Sequence, residues 1–228
     1  MTAPRSILII GASRGLGLGL AGEFTAQGWS VTATVRSATQ QAPLQALPGV
    51  RVEQLEMTDP NSLEQLANRL SDQQFDVIFV NAGVAGPEHH STAQASAEEM
   101  GQLFLTNAVA PLRVAERLLP NLAAEHGLIV FMSSILGSIE AGAGLGMPLY
   151  GASKAALNHL VQCFVRTQDN PHLGVVLMHP GWVRTDMGGA DAPLDIDSSC
   201  KGMALQVSAA VGQPGLRYLD YQGNPLPW

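Results

Sequence analysis

The sequence predicts an α/β fold, a doubly wound parallel sheet of about seven strands with helices on both faces. Three observations carry this. Short apolar runs alternate with helical patterns along the chain. The first run, residues 7–10 (Ile-Leu-Ile-Ile), is continuously apolar, as a parallel strand covered on both faces must be. A glycine-rich turn over residues 11–17 then leads directly into a helical pattern from Leu16 to about Gln27. No linker divides the 228 residues, so residues 1–228 are expected to form a single domain with a sizeable core.

Composition narrows the function classes. Hydrophobic residues make up 46% and charged residues 14%, which describes a compact folded chain rather than a disordered one. The 12 basic and 19 acidic residues give a formal charge of −7 with no basic run, which argues against a nucleic-acid partner. Cys163 and Cys200 lack metal-ligand spacing and read as a reduced pair, so no metal site is expected. The apolar run near the start is too short to span a membrane, and nothing later approaches that length. A cytoplasmic protein with no membrane partner is expected.

The turn reads Gly11-Ala-Ser-Arg-Gly15-Leu-Gly17. Its glycines permit a tight turn and a close backbone approach, and the next helix presents its positive end. Gly11, Ser13, Arg14, Gly15, Leu16 and Gly17 can therefore cradle a pyrophosphate; a purely structural strand-to-helix turn is the other reading. The second strand, residues 30–35, ends at Arg36. An acidic residue near this point would bind the ribose hydroxyls of NAD, whereas arginine suits a 2′-phosphate. Arg36 alone also fits a solvated strand end. With Arg14 beside it and no acid at the strand end, it favours NADP(H) over NAD(H). A third strand, 51–57, precedes Asp59, which can cap a helix over 62–70 or contact adenine. The fourth strand, 75–80, delivers Asn81, Ala82 and Gly83 to the carboxyl edge of the sheet, where small residues leave room for a cofactor.

Tyr150 and Lys154 sit four apart in a helical pattern over 150–167, so their side chains share one face. An ammonium near a phenol stabilises the phenolate and draws the tyrosine pKa towards neutrality. Tyr150 is thus a candidate acid for a carbonyl oxygen, or a base for an alcohol.

The glycine turn, Asn81-Ala-Gly83, Tyr150 and Lys154 follow the order and approximate spacing of the short-chain dehydrogenase/reductase family, which the chain resembles over essentially its whole length. Residues 181–189 and 219–228 are most similar to its bacterial C-factor-like and carbonyl-reductase-like members. The resemblance implies a Rossmann-type domain that interconverts carbonyls and alcohols, with a small carbonyl or alcohol as substrate. It implies that Ser134 bonds the substrate oxygen, that Lys154 also holds the nicotinamide ribose, and that Asn107 positions the lysine through an ordered water. Asn107 lies in a long helical pattern over 97–124 and also reads as a buried amide satisfying backbone; both readings can hold together. By the same resemblance Pro180, Gly181, Val183 and Thr185 lie at the nicotinamide, with Thr185 bonding its carboxamide. A signalling or nucleotide-sensing protein with little turnover is the alternative. Family members often pair through the helices around Asn107 and after Tyr150, which makes a homodimer possible.

One departure stands out. Ser134 lies 16 positions before Tyr150, a few more than in most members. The glycine-rich, mostly uncharged stretch 137–147 is expected to form a longer loop over a pocket lined by Leu136, Leu145 and Met147. This suggests an aldehyde or ketone of modest size and apolar character. Residues 188–199, rich in small residues, aspartate and proline, read as a mobile substrate lid, with helix starts at Asp195, Asp197 or Ser198. His89 and His90 read as a solvated loop, and His179 as a structural histidine within reach of the site. Strands over 127–132, 175–178 and 216–219 complete the sheet.

Overall fold

A computed structural model describes residues 4–228. Seven strands, β1 (Ser6–Ile10), β2 (Ser30–Val35), β3 (Arg51–Gln54), β4 (Val77–Val80), β5 (Leu128–Met132), β6 (Gly174–His179) and β7 (Gly215–Asp220), form one sheet in the order β3-β2-β1-β4-β5-β6-β7. Every neighbouring pair is parallel. The strand order reverses between β1 and β4, and at such a switch point the connections diverge and leave a crevice beyond the carboxyl ends of the strands. The expected doubly wound fold is the one observed.

Seven helices flank the sheet: α1 (Gly15–Ala26), α2 (Ala42–Gln45), α3 (Pro60–Arg69), α4 (Ala97–Phe104), α5 (Ala110–Leu118), α6 (Pro148–Arg166) and α7 (Ile196–Ala210). Successive strand residues point to opposite faces, so the core divides in two. Ile7, Ile9, Val130 and Met178 pack with Leu20 and Phe24 of α1 and Met203 and Val207 of α7. On the other face Leu8, Ile78, Ile129 and Leu177 pack with Leu66 of α3, Val114 of α5, and Leu157 and Val161 of α6. Continuous apolar strands are thus covered twice, as their sequence requires.

Three expectations need refinement. The helix expected over 97–124 is broken: α4 gives way to a wide π turn, Leu105–Val109, then α5, then a 3-10 turn, Leu119–Asn121. Pro111 and Pro120 lack the amide hydrogens a continuous helix would need, and the Asn107 side chain is committed elsewhere. Asp59 is an N-cap, its carboxylate accepting from the Asn61 amide at 2.9 Å. Asp195 caps α7 by accepting from the Ser198 amide at 2.7 Å, so residues 196–199 of the expected lid are its first helical turn. Among the described residues no helix is long and apolar enough to cross a membrane, and no metal-ligating cluster occurs.

Candidate active site

The glycine turn is held by close approach. Gly11 has φ +85°, and a Cβ there would lie 2.6 Å from Ala82 Cβ; one on Gly17 would lie 2.2 Å from the Gly11 oxygen. Asn81 Nδ2 donates to that same oxygen at 2.6 Å, and the Gly11 amide donates to Thr34 Oγ1 at 2.9 Å. The strand ends β2 and β4 therefore fix the turn, which in turn aims α1. No side chain caps α1, and no acidic residue sits in its first turn, so its positive end is left for an anion. A cleft of about 460 Å³, lined by Arg14, Gly15, Arg184, Thr185, Asp186 and Ile196 among others, opens beside it. This donor set fits the pyrophosphate of a dinucleotide.

The two arginines are placed differently. Arg36 is exposed at the end of β2, its carbonyl accepting from Gln54 Nε2 at 3.0 Å. Arg14 pairs with Asp186 instead, across the cleft from the glycine turn to the loop after β6; both side chains are exposed. Ser13 and Leu16 lie half-buried within the turn.

At the other end of the crevice, the Ser134 hydroxyl lies close enough to the Tyr150 phenol to favour its phenolate. Lys154 is buried, its Nζ 5.7 Å from the centre of the Tyr150 ring and donating to the Met132 oxygen at 2.8 Å. The pair does share one helix face, but the expected fall in the tyrosine pKa is corrected by the structure. Tyr150 is half-buried, yet its crowded surroundings push the phenol up to about 12; the neighbouring Ser134 hydroxyl opposes this without overcoming it. Burial brings Lys154 down to about 8. Desolvation disfavours both charged forms, and the sequence spacing alone could not show it.

Asn107 ties three segments together. Its Oδ1 accepts from the Val84 amide at 2.9 Å, and its Nδ2 donates to the Val84 oxygen at 2.8 Å and to Ser153 Oγ at 3.0 Å. Ser153 Oγ in turn donates to the Tyr150 main-chain oxygen at 2.7 Å. Gly83 stands between Asn107 and the lysine: a Cβ there would lie 3.2 Å from Asn107 Oδ1 and 3.4 Å from Lys154 Nζ. A side chain there would crowd the Asn107 amide and touch the ammonium. The amide thus fastens the loop after β4 to the second turn of α6, beside Tyr150 and Lys154.

The loop after β6 closes on itself. Thr185 Oγ1 accepts from the Gly188 amide at 3.0 Å, and Trp182 Nε1 donates to the Gly188 oxygen at 2.8 Å. Buried Val183 bridges Leu194, and the Pro180 oxygen accepts from Ser199 Oγ at 2.7 Å. Gly181 has φ +83° with Leu194 and Tyr221 packed against it. His179 lies at the end of β6 with an unpartnered buried Nδ1; burial pushes it down to about 4 against the pull of Asp220, so the ring is neutral. His89 lies 3.7 Å from Glu99 on an exposed loop, as a solvated position would. In the stretch before Tyr150, Leu145 is exposed, while Leu136 and Met147 are half-buried.

Sequence reasoning missed Ser153, the buried pair Ser133 and Asn158, and Tyr218. Ser153 sits inside the Tyr150–Lys154 stretch, and its short hydroxyl next to the lysine was the available signal. Ser133 Oγ donates to Asn158 Oδ1 at 2.6 Å, and the Tyr218 hydroxyl donates to the Ser134 main-chain oxygen from 84 residues away.

Residues 5–193 match the family model described as short chain dehydrogenase. The chain belongs to the short-chain dehydrogenase family. Among its relatives in this family, the C-signal of Myxococcus xanthus is 36% identical over 154 residues, covering 67% of this chain and 92% of that protein. A short-chain dehydrogenase/reductase of Burkholderia multivorans with bound NADP superposes with a TM-score of 0.95 at 41% identity, covering 99% of this chain and 100% of that one. A carbonyl reductase of Pseudomonas aeruginosa PAO1 in complex with NADP superposes with a TM-score of 0.90 at 40% identity, covering 99% and 100%. Short-chain dehydrogenases are oxidoreductases, and this chain shares their seven-stranded sheet throughout.

Proposed function

We propose that this protein is an NADP(H)-dependent carbonyl reductase that acts on apolar aldehydes or ketones, and on the corresponding alcohols in reverse. The observation that carries the reading is the convergence of the Tyr150 phenol, the Ser134 hydroxyl and the Lys154 ammonium at the carboxyl edge of the sheet. When bound, the dinucleotide supplies the hydride for reduction and takes it up in oxidation. Gly11, Ser13, Gly15, Leu16, Gly17 and the positive end of α1 would hold its pyrophosphate, with Arg36 at the 2′-phosphate and Arg14 joining it on release from Asp186. Asn81, Ala82 and Gly83 leave its path clear, with Asp59 at the rim, and Pro180, Gly181, Val183 and Thr185 form the wall at the reactive end.

The protein's own groups handle the proton. Ser134 donates to the substrate carbonyl oxygen and fixes its direction. Tyr150, pushed up to about 12, is protonated at neutral pH and gives its proton to that oxygen. Lys154, cationic below about 8, stabilises the phenolate left behind. Asn107, through Ser153 and the loop after β4, keeps the lysine end of α6 in register with the rest of the site.

Support for an apolar substrate comes from the surface. Of the eight large hydrophobic side chains exposed among the described residues, Val84, Ile139, Leu145, Trp182, Met187 and Trp228 all lie in segments that follow the carboxyl ends of β4–β7. The two others, Met100 and Leu205, are on helices. Such a concentration fits a small apolar ligand better than a charged one.

The test is NADPH oxidation with a panel of aromatic and aliphatic carbonyls, repeated with NADH and with Tyr150→Phe. Turnover with NADPH, weaker with NADH and reduced at least about a hundredfold in the variant, is expected. A Km for NADH below that for NADPH would overturn the cofactor assignment. The similarity to C-signal favours one second reading, a signalling protein that binds the dinucleotide with little turnover. NADPH binding with no turnover across the panel would select it.

A further inference from the structure

We propose that Tyr218 and the segment 221–228 form a brace that positions Ser134, so that the far end of the chain sets the substrate side of the site. This rests on the reading of Ser134 as the group that meets the substrate oxygen.

Ser134 is where β5 leaves the sheet, and its main-chain oxygen is the hinge of that departure. Two donors converge on it. The Gly137 amide donates at 2.8 Å and closes the 3-10 turn Ile135–Gly137, and the Tyr218 hydroxyl donates from β7. A carbonyl oxygen has two lone pairs, and both are used. Tyr218 is 3% exposed, and burial pushes its phenol up, so it remains a donor at any working pH.

The segment after β7 grips the same stretch from outside. Asp220 turns the chain back: its Oδ1 accepts from the Gln222 and Asn224 amides at 2.9 Å each, and Leu219 bridges Pro225 in antiparallel fashion. The Leu226 amide donates to the Tyr218 main-chain oxygen at 2.9 Å, and the Trp228 ring rests on Tyr218 with centroids 5.5 Å apart. The Trp228 main-chain oxygen then accepts from the Ile139 amide at 2.8 Å and from Ser138 Oγ at 3.2 Å. From beneath, Asn158 of α6 accepts from Ser133 Oγ and donates to the Gly137 oxygen at 3.2 Å. Residues 133–139 are therefore clamped between α6 on one side and β7 with its returning segment on the other. A buried tyrosine hydroxyl needs some acceptor. Here the acceptor belongs to the residue that carries the candidate substrate-binding hydroxyl, and the same ring supports the strap that holds the next loop.

The deciding measurement is hydrogen exchange by mass spectrometry on the full chain, comparing wild type with Tyr218→Phe and Trp228→Ala. The phenylalanine keeps the ring and removes only the hydroxyl, while the alanine removes the outer support and leaves the hydroxyl in place. Exchange in residues 133–142 is expected to accelerate roughly tenfold in Tyr218→Phe, the effect of one lost hydrogen bond, with β1–β4 unchanged. With a carbonyl that the wild type reduces, kcat should fall by a similar factor while the Km for NADPH stays constant. Unchanged exchange in 133–142 in both variants, or a uniform acceleration across the sheet, overturns the brace, as does local acceleration with an unaltered kcat. If the wild type reduces no carbonyl, the proposed reaction fails on its own, and exchange still decides whether the brace exists.

Discussion

The Lys154 ammonium stands 5.7 Å from the centre of the Tyr150 ring and is spent on the Met132 main-chain oxygen. The pair is therefore a buried ammonium facing a half-buried phenol. Each group is pushed towards its neutral form, Tyr150 to about 12 and Lys154 to about 8.

This ordering sets a pH profile. Tyr150 stays protonated throughout the accessible range, so the titration that matters is that of Lys154. Carbonyl reduction, measured as kcat/KM, should be level below about 8 and fall as pH rises through that value, because the cation that stabilises the phenolate is lost. A rate that climbs through the same range would contradict the assignment.

The same burial has a stability consequence. Lys154 holds its proton less tightly folded than unfolded, so its charge weakens the fold below about 8, and that penalty is relieved as pH rises from about 8 towards 10.5. A displacement of this size corresponds to roughly 3 kcal/mol. Lys154→Met removes the charge but leaves the Met132 oxygen unpaired, which costs about 1–2 kcal/mol in return. The variant should melt a few degrees above wild type at pH 7 while losing activity, and the gap should narrow on titration to pH 10. Calorimetry across that range is the check; a variant that melts lower at pH 7 would show that Lys154 is net stabilising.

Two glycines of α1 should respond in opposite directions. A Cβ on Gly17 would lie 2.2 Å from the Gly11 oxygen, whereas one on Gly22 meets only Leu47 Cδ2 at 3.9 Å. Gly17→Ala should push the turn off Asn81 and abolish dinucleotide binding, at a cost of at least about 2 kcal/mol. Gly22→Ala should leave binding intact and add up to about 1 kcal/mol through helix propensity. Urea denaturation and NADPH titration of both variants separate the two effects.

Asp186 competes for an arginine. Arg14 has Asp186 as its partner across the cleft mouth, and both are exposed. Asp186→Asn frees the guanidinium, so the Kd for NADPH should tighten by about two- to fivefold at low salt, the range of an exposed pair, and the gain should vanish at high salt. Isothermal titration at two ionic strengths tests it, and weaker binding in the variant would mean that Asp186 helps to hold the cofactor.

What could be read from sequence was what depends on neighbours along the chain. The run 7–10, the glycines after it and the four-residue step from Tyr150 to Lys154 are local patterns, and each appears in the structure where the pattern puts it. The protonation of Tyr150 is not a local pattern, because its desolvation comes from segments far away in sequence. Tyr218 was invisible for the same reason: 84 residues separate it from the oxygen to which it donates. The helix through Asn107 was drawn as continuous because apolar spacing does not register a side chain that bonds Val84 on another segment.

That wide turn, Leu105–Val109, makes chain length matter as much as side-chain chemistry. Each residue of a regular helix advances the direction of its side chains by about 100°. Remove one residue here and α4 could run smoothly into α5, but one half would be rotated out of phase, either turning Leu103 from the core or swinging Asn107 away from Val84. The turn is thus sensitive to a single-codon deletion as well as to changes of the Asn107 amide.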